Sequence, residues 1–254
     1  MFEPTTGWVT VSLGSQAADE GGPSMVATIG IVWSDDLTWA GIQTERFVAA
    51  MKGVECSVTE HGTRGALAFR QPRELTREAD INSGYDTADA ASLVYFAGHG
   101  EPGKLITYGT DMLSNESTWA QQMVLGDGHL RWLVADGCRS LSLDFLKSSS
   151  KNWLTAFGGL RIILGWDYYA NDEPLRGENF AERLLEGESL VEAWRHACED
   201  TGDFVDMGNG QPFWAYLRAE KGGEATTSGD AWSTEAAPKA VISPDTFYWL
   251  SGSV

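Results

Sequence analysis

The feature that most constrains the fold is a set of four apolar runs, each about as long as one buried strand. Their apolar residues are continuous rather than alternating, which is typical of strands covered on both faces. Patterns typical of helices separate the runs, including one over Leu37–Met51 with Trp39, Ile42, Phe47 and Met51 as candidate core positions. We therefore predict an α/β fold with a mostly parallel central sheet and helices on both faces. The four runs are MVATIGIVW (25–33), SLVYFA (92–97), LRWLVA (130–135) and LRIILGW (160–166).

The length and composition indicate one large domain. The chain has 254 residues, 43% of them hydrophobic, which is enough for a substantial core. Residues 1–24 are predicted to be an N-terminal arm with a short strand around Trp8–Leu13, and residues 25–219 the main domain. Residues 112–125 have some helical character, and helices are expected over 141–157, 179–185 and 189–199. Residues 220–254 are predicted to be a flexible connection and a C-terminal hairpin, Val241-Ile242 with Phe247–Leu250, that packs on the domain.

The charge and the cysteine count exclude several classes of protein. The formal charge is −18, which argues against nucleic acid and against anionic membranes. It favours a cationic substrate or partner, although solubility alone also explains it. No stretch approaches the roughly 18 apolar residues of a membrane helix, and no signal peptide is apparent. Three widely spaced cysteines predict neither a disulfide framework nor a zinc site, so we expect a cytoplasmic protein without metal or cofactor.

Two of the apolar runs end at residues that can do chemistry. The run 92–97 stops at Gly98-His99-Gly100, and the run 130–135 stops at Asp136-Gly137-Cys138. In parallel sheets, ligands bind at the carboxyl ends of the strands. Three further carboxylates follow strand ends and are candidate substrate-binding residues: Asp35, Asp36 and Asp167.

A thiol and an imidazole together indicate acyl chemistry. We predict Cys138 as the nucleophile and His99 as its general base and acid. The backbone N–H groups of Gly100 and Cys138 are the candidate oxyanion donors. Taken singly, such a cysteine is usually a small buried hydrophobe and such a histidine a structural residue, but two glycine-flanked strand ends favour a site. The remaining cysteines and histidines are interpreted as core, structural or surface residues: Cys56, Cys198, His61, His129 and His196.

At these motifs the chain resembles the caspase-like cysteine peptidases, the superfamily of caspases, metacaspases, gingipains and bacterial CHAT domains. The resemblance rests on VYFAGHG (94–100) and WLVADGCRS (132–140), and more weakly on RIILGWDYYANDEP (161–174). WSDDLTWAG (33–41) and LGDGHLRWLVADGC (125–138) are most similar to the DUF6345 type of this superfamily. The resemblance implies a caspase-like (haemoglobinase) fold with a Cys138–His99 dyad.

The resemblance also implies a preference for Arg or Lys before the scissile bond. Asp136 lies where metacaspases carry a pocket aspartate, and Asp35 or Asp36 would add a second carboxylate. Trp166 and Asp167 would form the cleft wall. The alternative for Asp136 is a helix cap.

Three hypotheses for the function follow. The first is a caspase-like endopeptidase that acts on a peptide or protein. The second is a repurposed enzyme that performs acyl transfer or cyclisation on a small molecule, such as a cationic one, in a biosynthetic pathway. The third is a catalytically silent binding module for a cationic partner.

Overall fold

Three α-helices and eleven strands make up the described part of the chain. The computed structural model describes residues 7–13, 27–33, 37–51, 56–62, 88, 91–106, 117–120, 123–127, 130–143, 153–202, 213–221, 240–242 and 244–254. In chain order the elements are β1 (Gly7–Leu13), β2 (Ala27–Trp33), α1 (Ala40–Met51), β3 (Cys56–Gly62), β4 (Leu93–Ala97), β5 (His99–Glu101), β6 (Lys104–Ile106), β7 (Ser117–Trp119), β8 (Trp132–Asp136), β9 (Ile162–Trp166), α2 (Arg176–Leu185), α3 (Leu190–Thr201), β10 (Phe213–Glu220) and β11 (Thr246–Ser253).

Eight of these strands form one mixed sheet in the order β11-β10-β9-β8-β4-β2-β1-β3. The four inner strands β2, β4, β8 and β9 are parallel and correspond to the four apolar runs, each beginning one or two residues after the start of its run. The two strands at each end are antiparallel, so the prediction of a mostly parallel sheet is wrong there. At the β10–β11 end of the sheet, the antiparallel direction follows from the pair α2 and α3. After β9 these two successive helices return the chain to the end of the sheet where β9 finished. Strand β10 therefore begins beside the end of β9, where Asp167 N donates to Phe213 O at 2.9 Å.

Both faces of the inner strands β4, β8 and β9 are buried, as the continuous apolar runs predict. Along β4, Leu93, Tyr95 and Ala97 belong to one core cluster, whereas Val94 and Phe96 belong to the other. The buried hydrophobic residues of α1, α2 and α3 all lie in the first cluster. In the described residues, the second face is covered by a 3-10 helix, Trp153–Ala156, and by irregular segments. The described α-helices therefore all lie on one face, and most of the helix expected on the other face, over 141–157, lies outside the described residues.

Several local predictions differ from the structure. The expected short strand near the N-terminus is β1, and it pairs between β2 and β3 inside the main sheet. Within 112–125, where some helical character was expected, the described residues include the strand β7. It pairs with β6 in a separate three-stranded sheet. The expected terminal hairpin is instead one eight-residue strand, β11, paired along its length with β10. Of the helix expected over 141–157, residues 144–152 lie outside the described residues.

The helices α2 and α3 follow the sequence pattern closely. A tight turn joins them at Gly187, whose φ of +91° suits a residue without a side chain. Ser189 caps α3, and its side chain accepts a hydrogen bond from Glu192 N at 3.2 Å. Cys198 on α3 is fully buried in the core, which confirms its prediction as a core residue. Among the described helices, none is long and apolar enough to cross a bilayer.

Candidate active site

The turns that follow β4 and β8 pack against each other, backbone to backbone. The two strands are adjacent and parallel, with Ala97 opposite Asp136, and Gly98 N donates to Asp136 O at 2.9 Å. A Cβ atom on Gly100 would lie 2.7 Å from Cys138 O, and one on Gly137 would lie 2.8 Å from Gly98 O. Only glycine fits at either position without moving the backbone, which explains the glycines beside His99 and Cys138.

The Cys138 thiol is half-buried and lies against the loop that follows β9. Ala170 N donates to Cys138 Sγ at 3.4 Å, and Ala170 O is 3.5 Å from the same sulfur. Arg139, the next residue, adopts a left-handed φ of 56° and donates its N–H to Tyr168 O at 2.7 Å. Burial raises the pKa of the Cys138 thiol, although the N–H groups of Ala170 and of Cys138 itself act in the opposite direction. The resting group is therefore a thiol that needs a base for activation.

The thiol and His99 line the same pocket, which has a volume of about 230 Å³. Three segments form its walls: the start of α1, the two strand-end turns, and the loop after β9. The lining residues are Leu37, Ala40, Gln43, Gly98, His99, Asp136, Cys138, Ala170, Asn171 and Asp172.

The Asp136 carboxylate is enclosed by donors from its own chain. Arg176 Nη1 lies 3.0 Å from both Oδ1 and Oδ2, and Trp166 Nε1 donates to Oδ1 at 2.7 Å. Tyr95 Oη donates to Oδ2 at 3.0 Å, and Gln43 Nε2 donates to the same oxygen. Asp136 and Arg176 are only 4% and 1% exposed, so this ion pair belongs to the protein interior.

The charges of this pair affect the groups around them. Burial alone would lower the pKa of Arg176, but Asp136, with smaller contributions from Cys198 and Tyr95, outweighs it and raises that pKa. Burial, followed by the Asp136 charge, raises the pKa of Tyr95 well above its ordinary value. Arg176 therefore stays cationic and Tyr95 stays a hydrogen-bond donor, which keeps the Asp136 carboxylate satisfied.

The carboxylate that reaches solvent at the pocket is Asp172. Its Oδ2 accepts a hydrogen bond from Trp39 N at 3.2 Å, immediately before α1. Partial burial raises its pKa, whereas the Trp39 N–H group, Arg176 and His99 lower it. Asp172 is exposed, unlike Asp136, and can meet a charged group of a ligand.

A family model matches most of the chain. The model of a family described as a domain of unknown function (DUF6345) matches residues 31–252. The chain belongs to the DUF6345 family. The match includes every residue of the pocket, and it confirms the resemblance of the sequence to this family. No curated protein matches the chain.

The structure of this DUF6345 member separates the predicted site residues into three groups. His99, Gly100, Cys138 and Asp136 lie together at the ends of β4 and β8. Trp166 and Asp167 do not line the pocket. Trp166 is buried behind Asp136, and the Asp167 carboxylate instead accepts from Leu143 N at 2.9 Å.

Asp35 and Asp36 lie outside the described residues, as does His129. His196, predicted to be structural or at the surface, is a partly exposed residue of α3 whose Nδ1 lies 2.8 Å from Glu188 Oε2.

Sequence reasoning missed Gln43, Ala170, Asp172 and Arg176. Asp172 lies in the acidic, aromatic loop after β9, but its distance from any strand end gave no reason to select it. Gln43 was missed because it is polar and the predicted buried face of α1 included Trp39 and Ile42. In the structure Trp39 and Ile42 are exposed and Gln43 is buried. Among the described residues, no group of three His, Cys, Asp or Glu side chains could hold a metal ion.

Proposed function

We propose that the chain is a cysteine-dependent hydrolase of the caspase-like endopeptidase type. One observation carries the proposal: the turns after two adjacent parallel strands bring His99 and Cys138 to one pocket. The order of the inner strands, with the histidine strand beside the cysteine strand, supports a caspase-like arrangement of the sheet. We propose this finer fold assignment together with the reaction.

In the proposed reaction His99 takes the proton of the Cys138 thiol as the sulfur attacks the carbonyl carbon. A base is required because burial disfavours the free thiolate. The N–H groups of Cys138 and Gly100 would stabilise the oxyanion, and His99 would then protonate the leaving amine. Water attacks the resulting thioester, releases the acid and restores the thiol.

The structure supports cation recognition by Asp172 rather than by Asp136. A cationic side chain of the substrate would find the Asp136 carboxylate already bound to Arg176. Asp172 lines the same pocket as His99, and it is exposed. A pocket of about 230 Å³ is smaller than most sites for whole ligands and suits one side chain.

A second candidate is favoured by the same ion pair. The resemblance assigns Asp136 to binding of Arg or Lys, and Arg176 blocks that role. The same thiol and imidazole could then perform acyl transfer or cyclisation on a small molecule.

The test is a panel of fluorogenic peptides that differ in the residue before the scissile bond. The expected result is hydrolysis after Arg or Lys by the wild type and none by Cys138→Ala. Alkylation of Cys138 by iodoacetamide without turnover on any peptide would favour the second candidate. A Cys138 that resists alkylation in the folded protein would refute both.

A further inference from the structure

Arg176, the first residue of α2, contacts both segments that flank the Cys138 thiol. On one side it pairs with Asp136, two residues before Cys138. On the other side its Nη1 and Nη2 each donate to Asn171 O at 3.0 Å. Asn171 directly follows Ala170, whose N–H and C=O groups contact the sulfur. One guanidinium therefore connects the strand end that carries the thiol to the loop that covers it.

The loop after β9 depends on such contacts for its position. Residues 169–173 have no regular secondary structure, so no helix or strand ladder fixes Ala170. The contact Arg139 N to Tyr168 O holds the loop before Ala170, and the Arg176 contacts to Asn171 O hold it after. The planar guanidinium can serve Asp136 and Asn171 O together because it presents several donors in a fixed fork.

The buried Asp136–Arg176 ion pair is expected to add little to the free energy of folding, which favours a positioning role for it. Burying two charges costs about as much as their attraction returns. In the described part of the chain, Arg176 Nε is also buried without a hydrogen-bond partner, which adds a further cost. The guanidinium lies 4.7 Å from the ring centroid of Trp166, so its orientation is fixed from a third direction.

We infer that Arg176 is a positioning residue that holds Ala170 against the Cys138 thiol through Asp136 and Asn171 O. The inference rests on the proposed function only in that the thiol is the reactive group. It concerns the state of the thiol before any substrate binds, so it can be tested without one.

The test is the pH dependence of Cys138 alkylation by iodoacetamide, followed by mass spectrometry of the Cys138 peptide. Arg176→Lys keeps the charge opposite Asp136, and leaves His99 and Asp172 in place, but it removes the fork. The expected result is an upward shift of the alkylation midpoint by about one pH unit, since the thiolate loses the Ala170 N–H group. Near-UV circular dichroism checks that the variant is folded.

Arg183→Lys is the matched control, since Arg183 lies on the same helix but in a surface ion pair with Asp200. Its midpoint should equal that of the wild type. If Arg176→Lys does not fold, Arg176→Gln, which cannot donate to Asp136 and Asn171 O together as the guanidinium does, replaces it, and its midpoint should also rise. A folded Arg176 variant with a wild-type midpoint would overturn the inference. A shifted midpoint in a protein that cleaves no peptide would support the inference and refute the proposed peptidase.

Discussion

The contact between the two strand-end turns predicts a large effect of Gly100→Ala. The new Cβ would lie 2.7 Å from Cys138 O, 2.8 Å from Gly137 C and 3.1 Å from Cys138 N. Ordinary contact begins at 3.4 Å, so the turns must move apart by about 0.6–0.7 Å. All three contacted atoms are backbone atoms, and no side chain can rotate away to relieve them.

A displacement of this size should lower both the unfolding free energy and the hydrolysis rate, and the two losses can be measured separately. Overpacking costs about 1–3 kcal/mol of unfolding free energy. Misplacement of reacting groups by about 1 Å can reduce turnover about 100-fold, so we expect a 10- to 100-fold loss in the hydrolysis rate. The assays are urea unfolding and the initial rate on the best peptide of the panel.

Gly41→Ala is the matched control for this prediction. Gly41 lies in α1 beside the pocket residue Ala40, and a Cβ there would meet Trp33 at an ordinary 3.4 Å. Alanine is also the better helix former by up to about 1 kcal/mol, so this variant should be at least as stable as the wild type. A Gly100→Ala variant that reacts and unfolds like Gly41→Ala would show that the two turns do not form one rigid unit.

Three further changes have defined outcomes. Asp172→Asn should reduce kcat/KM on Arg and Lys peptides about 10- to 100-fold relative to neutral peptides, whereas Glu182→Gln on the exposed side of α2 should not; equal loss on both peptide classes would contradict cation recognition. Trp166→Phe removes a donor from buried Asp136 and should lower the unfolding free energy by about 1–3 kcal/mol in urea titrations; an unchanged midpoint would contradict the network. Burial raises the pKa of the Cys198 thiol, so its contribution to stability is complete below the ordinary thiol pKa and is lost as pH rises through the folded-state pKa. Unfolding free energy should therefore fall above about pH 8.5, less steeply in Cys198→Ala; identical slopes would refute this.

The sequence was sufficient for the inner sheet and for the position of His99 and Cys138 at the ends of two adjacent strands. Continuous apolar runs identify β2, β4, β8 and β9. A histidine and a cysteine next to glycines at the ends of β4 and β8 identify His99 and Cys138 as candidates. These signals are local, since each needs only a few consecutive residues. The antiparallel strands β10 and β11 depend on which edge the chain reaches after α2 and α3, and apolar continuity carries no such information.

The partners of Asp136 show why the rest of the site could not be predicted. Gln43, Tyr95, Trp166 and Arg176 come from four elements and lie 30 to 93 residues from Asp136 in the sequence. A glutamine on a helix normally indicates the solvent face, and here it is buried only because Asp136 and Tyr95 satisfy its amide. Such a residue becomes recognisable only when its partners are known.

The free-energy cost of breaking the Asp136–Arg176 pair also indicates which carboxylate of the pocket can bind a substrate cation. For Asp136 to bind a substrate arginine, Arg176 would have to leave a site in which both partners are almost fully buried. Removing one partner from such a pair costs about 3–5 kcal/mol, and the displaced guanidinium would itself need a new acceptor. A substrate cation at Asp172 would meet an exposed carboxylate outside the buried ion pair, and that carboxylate could keep its hydrogen bond from Trp39 N. The proposed roles of the two carboxylates therefore differ: Asp136 would act through Arg176 on the position of the thiol, and Asp172 would select the substrate.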